Sequence, residues 1–465
     1  VRVAAVAVLA AVLSGCVYLN LFFNARRLFE EAEQERWDGR ETEAQTLYDS
    51  VVAKAARSYR AEPDGEWADD ALYLLGRAYL RRGELAEASA ALGRTLEITH
   101  DPRIRAGALL HLGVAAISTG ERGRGLTLLN DALRVLEPGA LRAEGHFWRG
   151  KILLDTDESN AGWWDLDRAA EADSRYRVAA GLERLRWGVQ NEDSVRVGEG
   201  VTTLLMLPEA RVREDSLLAM VRQSAKLWGG EFGASLLVDA PRAAWPQAAR
   251  DRLTLARARL RLEAGMAAPA EADAMAVADR VGPEATEARL FLARMRLAGV
   301  RDVVDLESVR AVLLPSVADA RVLDLLETIR MVEVLTDAAG EETPGEALFA
   351  GAELARDELG APALARQLLL RYAEIGTRWR GKALLAALQL AEDPEGRSRV
   401  LEMLVRMPRD PYVRASLGGN SPSPALAELE VLLEETIQGV LAEAETRVRG
   451  LDVLARERAG ASAIR

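Results

Sequence analysis

From residue 24 to about residue 190, small and large apolar residues recur three and four positions apart and then return as whole blocks, the period of paired amphipathic helices. The clearest block is Leu72, Leu75, Gly76, Tyr79, Gly83, Ala88 and Leu92, followed by Asp101-Pro102. It predicts a helix before Gly83, a turn at that glycine and a second, antiparallel helix after it. Gly76 and Ala88 lack bulk where two such helices would cross, and Leu72, Tyr79 and Leu92 would fill the space around the crossing. Leu109, Leu112, Gly113, Gly120, Leu129 and Ala132 repeat the block 37 residues on, and Gly150, Leu153, Gly162, Leu166 and Ala169 do so 37 residues further. Upstream, Leu28, Ala32, Gly39, Ala44 and Tyr48 fit the same register, with a longer second helix running toward Tyr59 and ending before Pro63.

Past residue 190 the pattern degenerates without vanishing. Gly265 and Gly299 each close an Ala/Arg/Leu-rich helix, and Ala350 to Ala373 reads as a helix pair turned at Gly360. Prolines 208, 241, 246, 283, 315 and 344 fall at helix starts or in connections. The expected organisation is a well-matched repeat region over 24–190 and degenerate helical repeats over 191–413, about ten helix pairs in all. Residues 414–424, rich in Gly, Ser and Pro, are expected to be a linker. A long amphipathic helix over 425–459 follows, with Leu426, Leu429, Leu433, Ile437, Val440, Ala444, Val448, Leu451 and Leu454 on one stripe, and then a disordered tail over 460–465. Such a stripe either caps the repeats or binds a partner.

Composition agrees with helices throughout. Aromatics are only 5% of the 465 residues, and no sustained alternation of Val, Ile and Thr marks a strand. A net charge of −12, from 60 Lys+Arg and 72 Asp+Glu, argues against nucleic acid as a partner. The signs are well mixed along the helices, as on a solvated surface.

The chain has one cysteine, Cys16, directly after Leu13-Ser14-Gly15 and the apolar run Val3 to Leu13. One thiol forms no internal disulfide. The apolar run is too short to cross a hydrocarbon core of ~30 Å but has the length of a signal-peptide core. Leu13-Ser14-Gly15-Cys16 resembles the bacterial lipobox, which implies that residues 1–15 are a signal peptide, that Cys16 carries the lipid and that 16–23 form a tether. An uncleaved anchor running on through Phe23 is the alternative.

The blocks themselves resemble the tetratricopeptide repeat. That resemblance implies an all-α fold, a right-handed α-solenoid of helix pairs whose first helices line a groove, here ending in the long C-terminal helix. Its groove positions fall on Phe29, Glu33, Arg36 and Trp37; on Tyr73, Arg77, Leu80 and Arg81; on Leu110, Val114 and Ile117; and on Phe147, Lys151, Leu154 and Asp155. They predict an aromatic row, Phe29-Tyr73-Phe147, flanked by Arg36, Arg77, Arg81 and Lys151, suited to a peptide of acidic character. Together with Cys16 to Ala32 and the segment Trp67 to Gly76, the pattern over residues 13 to about 175 resembles envelope tetratricopeptide lipoproteins, among them the lipoprotein subunit of the outer-membrane β-barrel assembly machinery. The resemblance implies a lipid-anchored periplasmic scaffold that holds other envelope proteins.

Catalytic constellations are missing from the sequence. His100, His111 and His146 stand at no metal-ligand spacing, no Gly-rich loop ends in Gly-Lys-Ser/Thr, and acidic neighbours such as Glu434-Glu435 read as a solvated helix face. No enzyme activity, metal or cofactor is expected. A second class of function is glycan binding through Trp148, Trp163, Trp164 and Trp187, whose indoles could stack on sugar rings. A third is a cytosolic regulator, which requires that residues 1–15 are not a signal.

Overall fold

The computed structural model describes residues 21–462 apart from 157, 238–244, 339–344, 376–377 and 419–423, and for 417–418 and 450–462 only the backbone. The signal peptide and lipobox expected at Leu13, Ser14, Gly15 and Cys16 lie outside the described residues. Among those described there is no strand. The chain divides between Ala264 and Gly265 into two compact units.

The first unit contains α1 (21–37), α2 (Glu41–Ala61), α3 (Ala68–Arg82), α4 (Leu85–Ile98), α5 (Pro102–Ser118), α6 (Arg122–Val135), α7 (Ala140–Leu154) and α8 (Ser159–Ala172). It continues with α9 (Tyr176–Gln190), α10 (Ser194–Met206), a 3-10 turn at Pro208–Arg213, α11 (Glu214–Trp228), α12 (Gly230–Ser235) and α13 (Gln247–Glu263). Helices pack as hairpins, α3 with α4, α5 with α6, α7 with α8 and α9 with α10, while α3, α5, α7 and α9 also touch one another in turn. The fold is thus all-α, a stack of tetratricopeptide-like helix pairs with an inner layer of first helices.

Small residues set the crossings, as their spacing predicts. A Cβ on Gly76 would lie 2.6 Å from Leu92 Cγ, one on Gly113 3.1 Å from the Gly125 carbonyl, and one on Gly150 2.9 Å from the Gly162 carbonyl. In the last two crossings backbone meets backbone. Leu92, Leu129 and Leu166, one repeat apart, are fully buried at those points, each contributing on the order of 2 kcal/mol by burial. Gly39, Gly83 and Gly120 turn the first three hairpins at φ of 81°, 79° and 88°, a conformation that an L side chain resists. Asp101 caps α5 by accepting from the Arg103 amide, with Pro102 at the first helical position.

The repeat fades where the geometry shortens. Between α10 and α11 the 3-10 turn intervenes, and α12 has only six residues, with Gly233 so close to Ala225 that a Cβ would meet it at 2.6 Å. A pattern of full-length pairs has no counterpart there.

The second unit contains α14 (Ala267–Ala278), α15 (Pro283–Gly299), α16 (Leu306–Leu313), α17 (Ala320–Ala338), α18 (Glu346–Asp357), α19 (Pro362–Ile375), α20 (Arg380–Gln389), α21 (Pro394–Val405), α22 (Pro411–Gly418) and α23 (Pro424–Ser462). Helices α18 and α19 form the pair turned at Gly360, φ 64°. Part of the expected linker is helical: α22 runs through Arg414 to Gly418. The Asp410 carboxylate accepts from the Tyr412 and Val413 amides and starts that helix, with Pro411 as its first residue. Helix α23 likewise continues to Ser462, into the segment expected to be a disordered tail.

Candidate functional site

In the first unit the residues assigned to a groove do converge, but around two carboxylates of the fold itself. Glu33 of α1 accepts from Arg81 of α3, Nε to Oε1 at 2.8 Å and Nη2 to Oε2 at 3.2 Å, and from Arg36 Nη2 at 3.0 Å. The same Arg81 Nη2 reaches Glu144 Oε1 of α7 at 2.9 Å. Tyr48 of α2 donates its hydroxyl to Glu33. On the far side His111 of α5 stands with Nε2 3.6 Å from Glu144, its Nδ1 2.7 Å from the Gly107 carbonyl and 3.3 Å from the Tyr73 hydroxyl. Five helices therefore meet in one ionic network.

Burial and charge compete at each of these groups. Burial alone would raise the Glu33 carboxyl, but the charges and hydrogen bonds of Arg81 and Arg36 outweigh it and hold that carboxyl well below the usual range. Glu144 is lowered in the same way, against its burial, by Arg81, His111 and Arg77. Burial pushes the His111 imidazole down, and Glu144 only partly opposes it. Burial pushes the Tyr73 phenol up to about 12.

The aromatic row follows the same course. Phe29 is 3% exposed, its ring lying 4.2 Å from the Arg77 guanidinium and 5.7 Å from Tyr48. Tyr73 meets His111 edge-on, and Phe147 lies 5.3 Å from Tyr176 of α9. Lys151 is paired with Glu183 and sits over Trp148. An open wall with an aromatic row was the expectation; Phe29 is buried, and Arg36, Tyr73, Arg77, Arg81, Phe147 and Lys151, all partly exposed, have partners within the fold. The cause is closure of the inner layer on itself. Trp37, at the end of α1, meets Tyr176 edge-on at 5.1 Å, and a Cβ on Gly39 would lie 2.5 Å from Val212 in the 3-10 turn.

Glu144 and Tyr176 are the members that the register did not supply. A signal for Glu144 exists: it precedes Phe147 by three residues, so both share one helical face, and it is a carboxylate among Ala143 and Gly145.

Three of the tryptophans proposed as a glycan platform, Trp148, Trp163 and Trp187, are partly covered, and Trp164 is exposed. Trp163 carries Arg196 at 4.6 Å and Arg184 at 5.2 Å from its ring, with Trp187 edge-on at 5.7 Å, and Trp187 donates to the Leu154 carbonyl at 2.7 Å. Trp164 is half-exposed beneath Arg168, and Trp148 is edge-on to Phe147. His146 is bonded to Asp165 at 2.8 Å, and Asp165 is also held by two nitrogens of Arg149.

The second unit keeps a different kind of surface. Helix α23 packs along α17 and α18 through Leu433, Ile437, Ala444 and Val448, which are buried, with Leu426, Leu429 and Val440 half-buried. Two anchors fix its start: Trp379 Nε1 donates to the Leu429 carbonyl at 3.2 Å, and Lys382 of α20 pairs with Glu430.

Among the described residues no group of three His, Cys, Asp or Glu could hold a metal ion, and no helix is long and apolar enough to cross a membrane.

The architecture defines a class, the all-α proteins built from tetratricopeptide-like helix pairs. No protein-family model matches the chain, and no curated protein matches it. Among solved structures it is similar to a tetratricopeptide repeat protein from Parabacteroides merdae ATCC 43184, at 15% identity over 58% of this chain and 97% of that one, TM-score 0.33. A second is the structure of Naa15/Naa10 bound to HypK-THB, at 15% identity over 91% of this chain and 66% of that one, TM-score 0.30. A third is the TPR domain of P58(IPK), at 12% identity over 83% of this chain and 99% of that one, TM-score 0.18. With overlaps this low, the class rests on the helix pairs themselves.

Proposed function

We propose that this chain is a non-enzymatic scaffold that binds other proteins through its helical repeats and works in the bacterial cell envelope, held to a membrane by a lipid on Cys16. One observation carries the scaffold reading. The inward ionisable groups of the first unit are committed across helices, Glu33, Arg81, Glu144 and His111 to one another and Asp165 to His146 and Arg149, as structural ties and not as a reaction centre. Stacked helix pairs of this kind present extended surface, and surface is what protein partners use.

The envelope reading rests on Leu13-Ser14-Gly15-Cys16 after its apolar run. Acyl chains, at ~0.8 kcal/mol per buried CH₂, would hold an acidic protein at a membrane where basic residues do not. Outer-membrane protein assembly or transport is the process that the resemblance of residues 13 to 175 points to, with the anchored face toward the periplasm.

A mild-detergent pull-down with mass spectrometry, reporting also the mass of the N-terminal peptide, tests both parts. Expected are a diacylglyceryl-modified Cys16 and co-purifying envelope proteins. An unmodified Cys16 ends the lipoprotein reading, and a preparation without any protein partner ends the scaffold reading.

A further inference from the structure

We propose that the end of the first helix pair where α1 starts and α2 finishes lies on an anionic phospholipid surface, with Phe23 among the headgroups and Arg26, Arg27, Lys54, Arg57 and Arg60 at the phosphates. This rests on the lipid-anchored reading above and adds which face of the protein the anchor lays down.

The first pair is polarised along its length. Helices α1 and α2 run antiparallel, turned at Gly39, with the ring of Phe29 5.7 Å from that of Tyr48. At the end farther from the turn, residues 21–29 and 50–61 hold the five cations Arg26, Arg27, Lys54, Arg57 and Arg60 and no acid. Toward the turn, residues 30–49 hold eight acids and only Arg36 and Arg40 as cations. A chain of net charge −12 thus gathers positive charge at one end of its first hairpin.

The fold leaves those cations available. Arg26, Arg27, Arg57 and Arg60 are exposed and Lys54 is half-buried. Arg26 meets Glu30 with both side chains more than half exposed, a pair that contributes little in water. Arg60 bonds the Ala56 carbonyl of its own helix, and among the described residues Arg27, Lys54 and Arg57 have no carboxylate partner. Arg81 is the contrast, held inside the stack by Glu33 and Glu144.

An aromatic ring stands on the same face. Phe23 is 48% exposed and shares the outer stripe of α1 with Arg26 and Arg27, three and four residues on. Behind it Phe22 is buried and stacks on Trp67 at 5.7 Å, and the Trp67 ring also lies 5.8 Å from Phe23. An apolar ring among guanidinium groups is what interfacial helices present to a bilayer, the ring at the acyl boundary and the cations at the phosphates. Glu62, Asp64 and Glu66, in the connection to α3, bound the patch on that side.

Position names the occupant. Residues 17–20 separate Cys16 from α1, so whatever path they take, the lipid-bearing Cα lies within ~18 Å of Leu21. The cationic end is therefore the part of the first pair nearest the lipid, and the acids near Gly39 stand up to ~24 Å farther along α1.

The acylated full-length protein, reconstituted in vesicles of phosphatidylethanolamine and phosphatidylglycerol that carry headgroup-proximal brominated lipid, tests this. The reporter is Trp67, read as wild type minus Trp67→Phe, and Phe23→Trp adds a second reporter at an exposed position. Both should be quenched in these vesicles and far less in vesicles of phosphatidylcholine. Arg27→Gln and Arg57→Gln should each lower the equilibrium constant for lying on the lipid about fivefold, while the acyl chains keep the protein bound.

Reporters that stay unquenched in acylated, vesicle-bound protein overturn the proposal and leave the lipoprotein reading standing. Quenching that is equal in phosphatidylcholine and unmoved by both substitutions assigns the contact to the tether alone and overturns the cationic face. Trp67 equally shielded from acrylamide with and without vesicles assigns the face to the chain's own residues before 21, which also overturns it. An unmodified Cys16 ends the lipoprotein reading instead; the unacylated protein should then still sediment with phosphatidylglycerol vesicles at low salt, and its failure to do so overturns the patch.

Discussion

Arg81 of α3 and Glu144 of α7 form an ion pair at 2.9 Å between two helices that belong to different repeats, with α5 lying between them in sequence. The side chains are 11% and 6% exposed, so each carries its charge into the interior, and each is tolerated only because the other is there. Arg81→Leu leaves both Glu33 and Glu144 without their main cation. It should destabilise the protein by about 3–5 kcal/mol, measured as a lower urea midpoint, with part of the loss recovered by adding Glu144→Gln.

Acid should loosen the same network in two stages. His111 has its folded pKa depressed below 6.5, so the unfolded chain takes up a proton first and stability falls as pH drops below about 6.5. Glu33 and Glu144 are depressed below 4.5, so their contribution is complete above that value and is lost as pH falls below it. Urea midpoints at pH 7.5, 5.5 and 4.0 should fall in that order. His111→Asn should flatten the first interval.

Asp70 should behave in the opposite sense. Burial, then the charges of Asp69 and Asp101, raise its carboxyl from 3.8 to about 6, so the folded state holds the proton more tightly than the unfolded one. Its charged form is a cost that is complete above pH 6 and disappears as pH falls toward 3.8. Asp70→Asn should therefore stabilise the protein at pH 7.5 by on the order of 1 kcal/mol, allowing for its half-exposed position, and by little at pH 4. Paired melts at the two pH values read this directly.

Two glycines in the second repeat should respond with opposite signs to the same change. Gly76→Ala puts a methyl 2.6 Å from Leu92 Cγ at the helix crossing, which should cost about 1–3 kcal/mol. Gly93→Ala, inside α4 with nothing within 4 Å, should add about 0.5–1 kcal/mol by helix propensity. Chemical denaturation of both variants decides between steric and conformational control at each site.

The helix pairs were readable because their cause is local. Gly76 against Leu92 and Gly150 against Gly162 follow from residues a fixed distance apart, so spacing alone announces them. The inner face was readable only by halves. Phe29, Tyr73, Arg81 and Phe147 do lie on the first helices of their pairs, but whether they line an open wall depends on the small rotation between repeats, which no single repeat encodes. Closure brings Glu33, Glu144 and Tyr176 to them, and each of those comes from a different turn of the stack. The helical part of 414–424 went unread because a Gly/Ser/Pro run downstream outweighed the cap at Asp410 and Pro411. The lipobox expected at Leu13 to Cys16 lies outside the described residues.

The contact of Gly39 with Val212, beside Arg36 and Arg213 177 positions apart, also bears on how the protein is made. In an ordinary repeat array each pair meets only its neighbours and can settle as it is synthesised. Here α1 finds Arg81 early, but Tyr176 and then Val212 reach it only after a long stretch of further translation. Helix α1 is thus synthesised well before the contacts that complete its surroundings. Until then Trp37 is without its aromatic partner, and a chain cut short before residue 208 never supplies the turn that closes the inner layer.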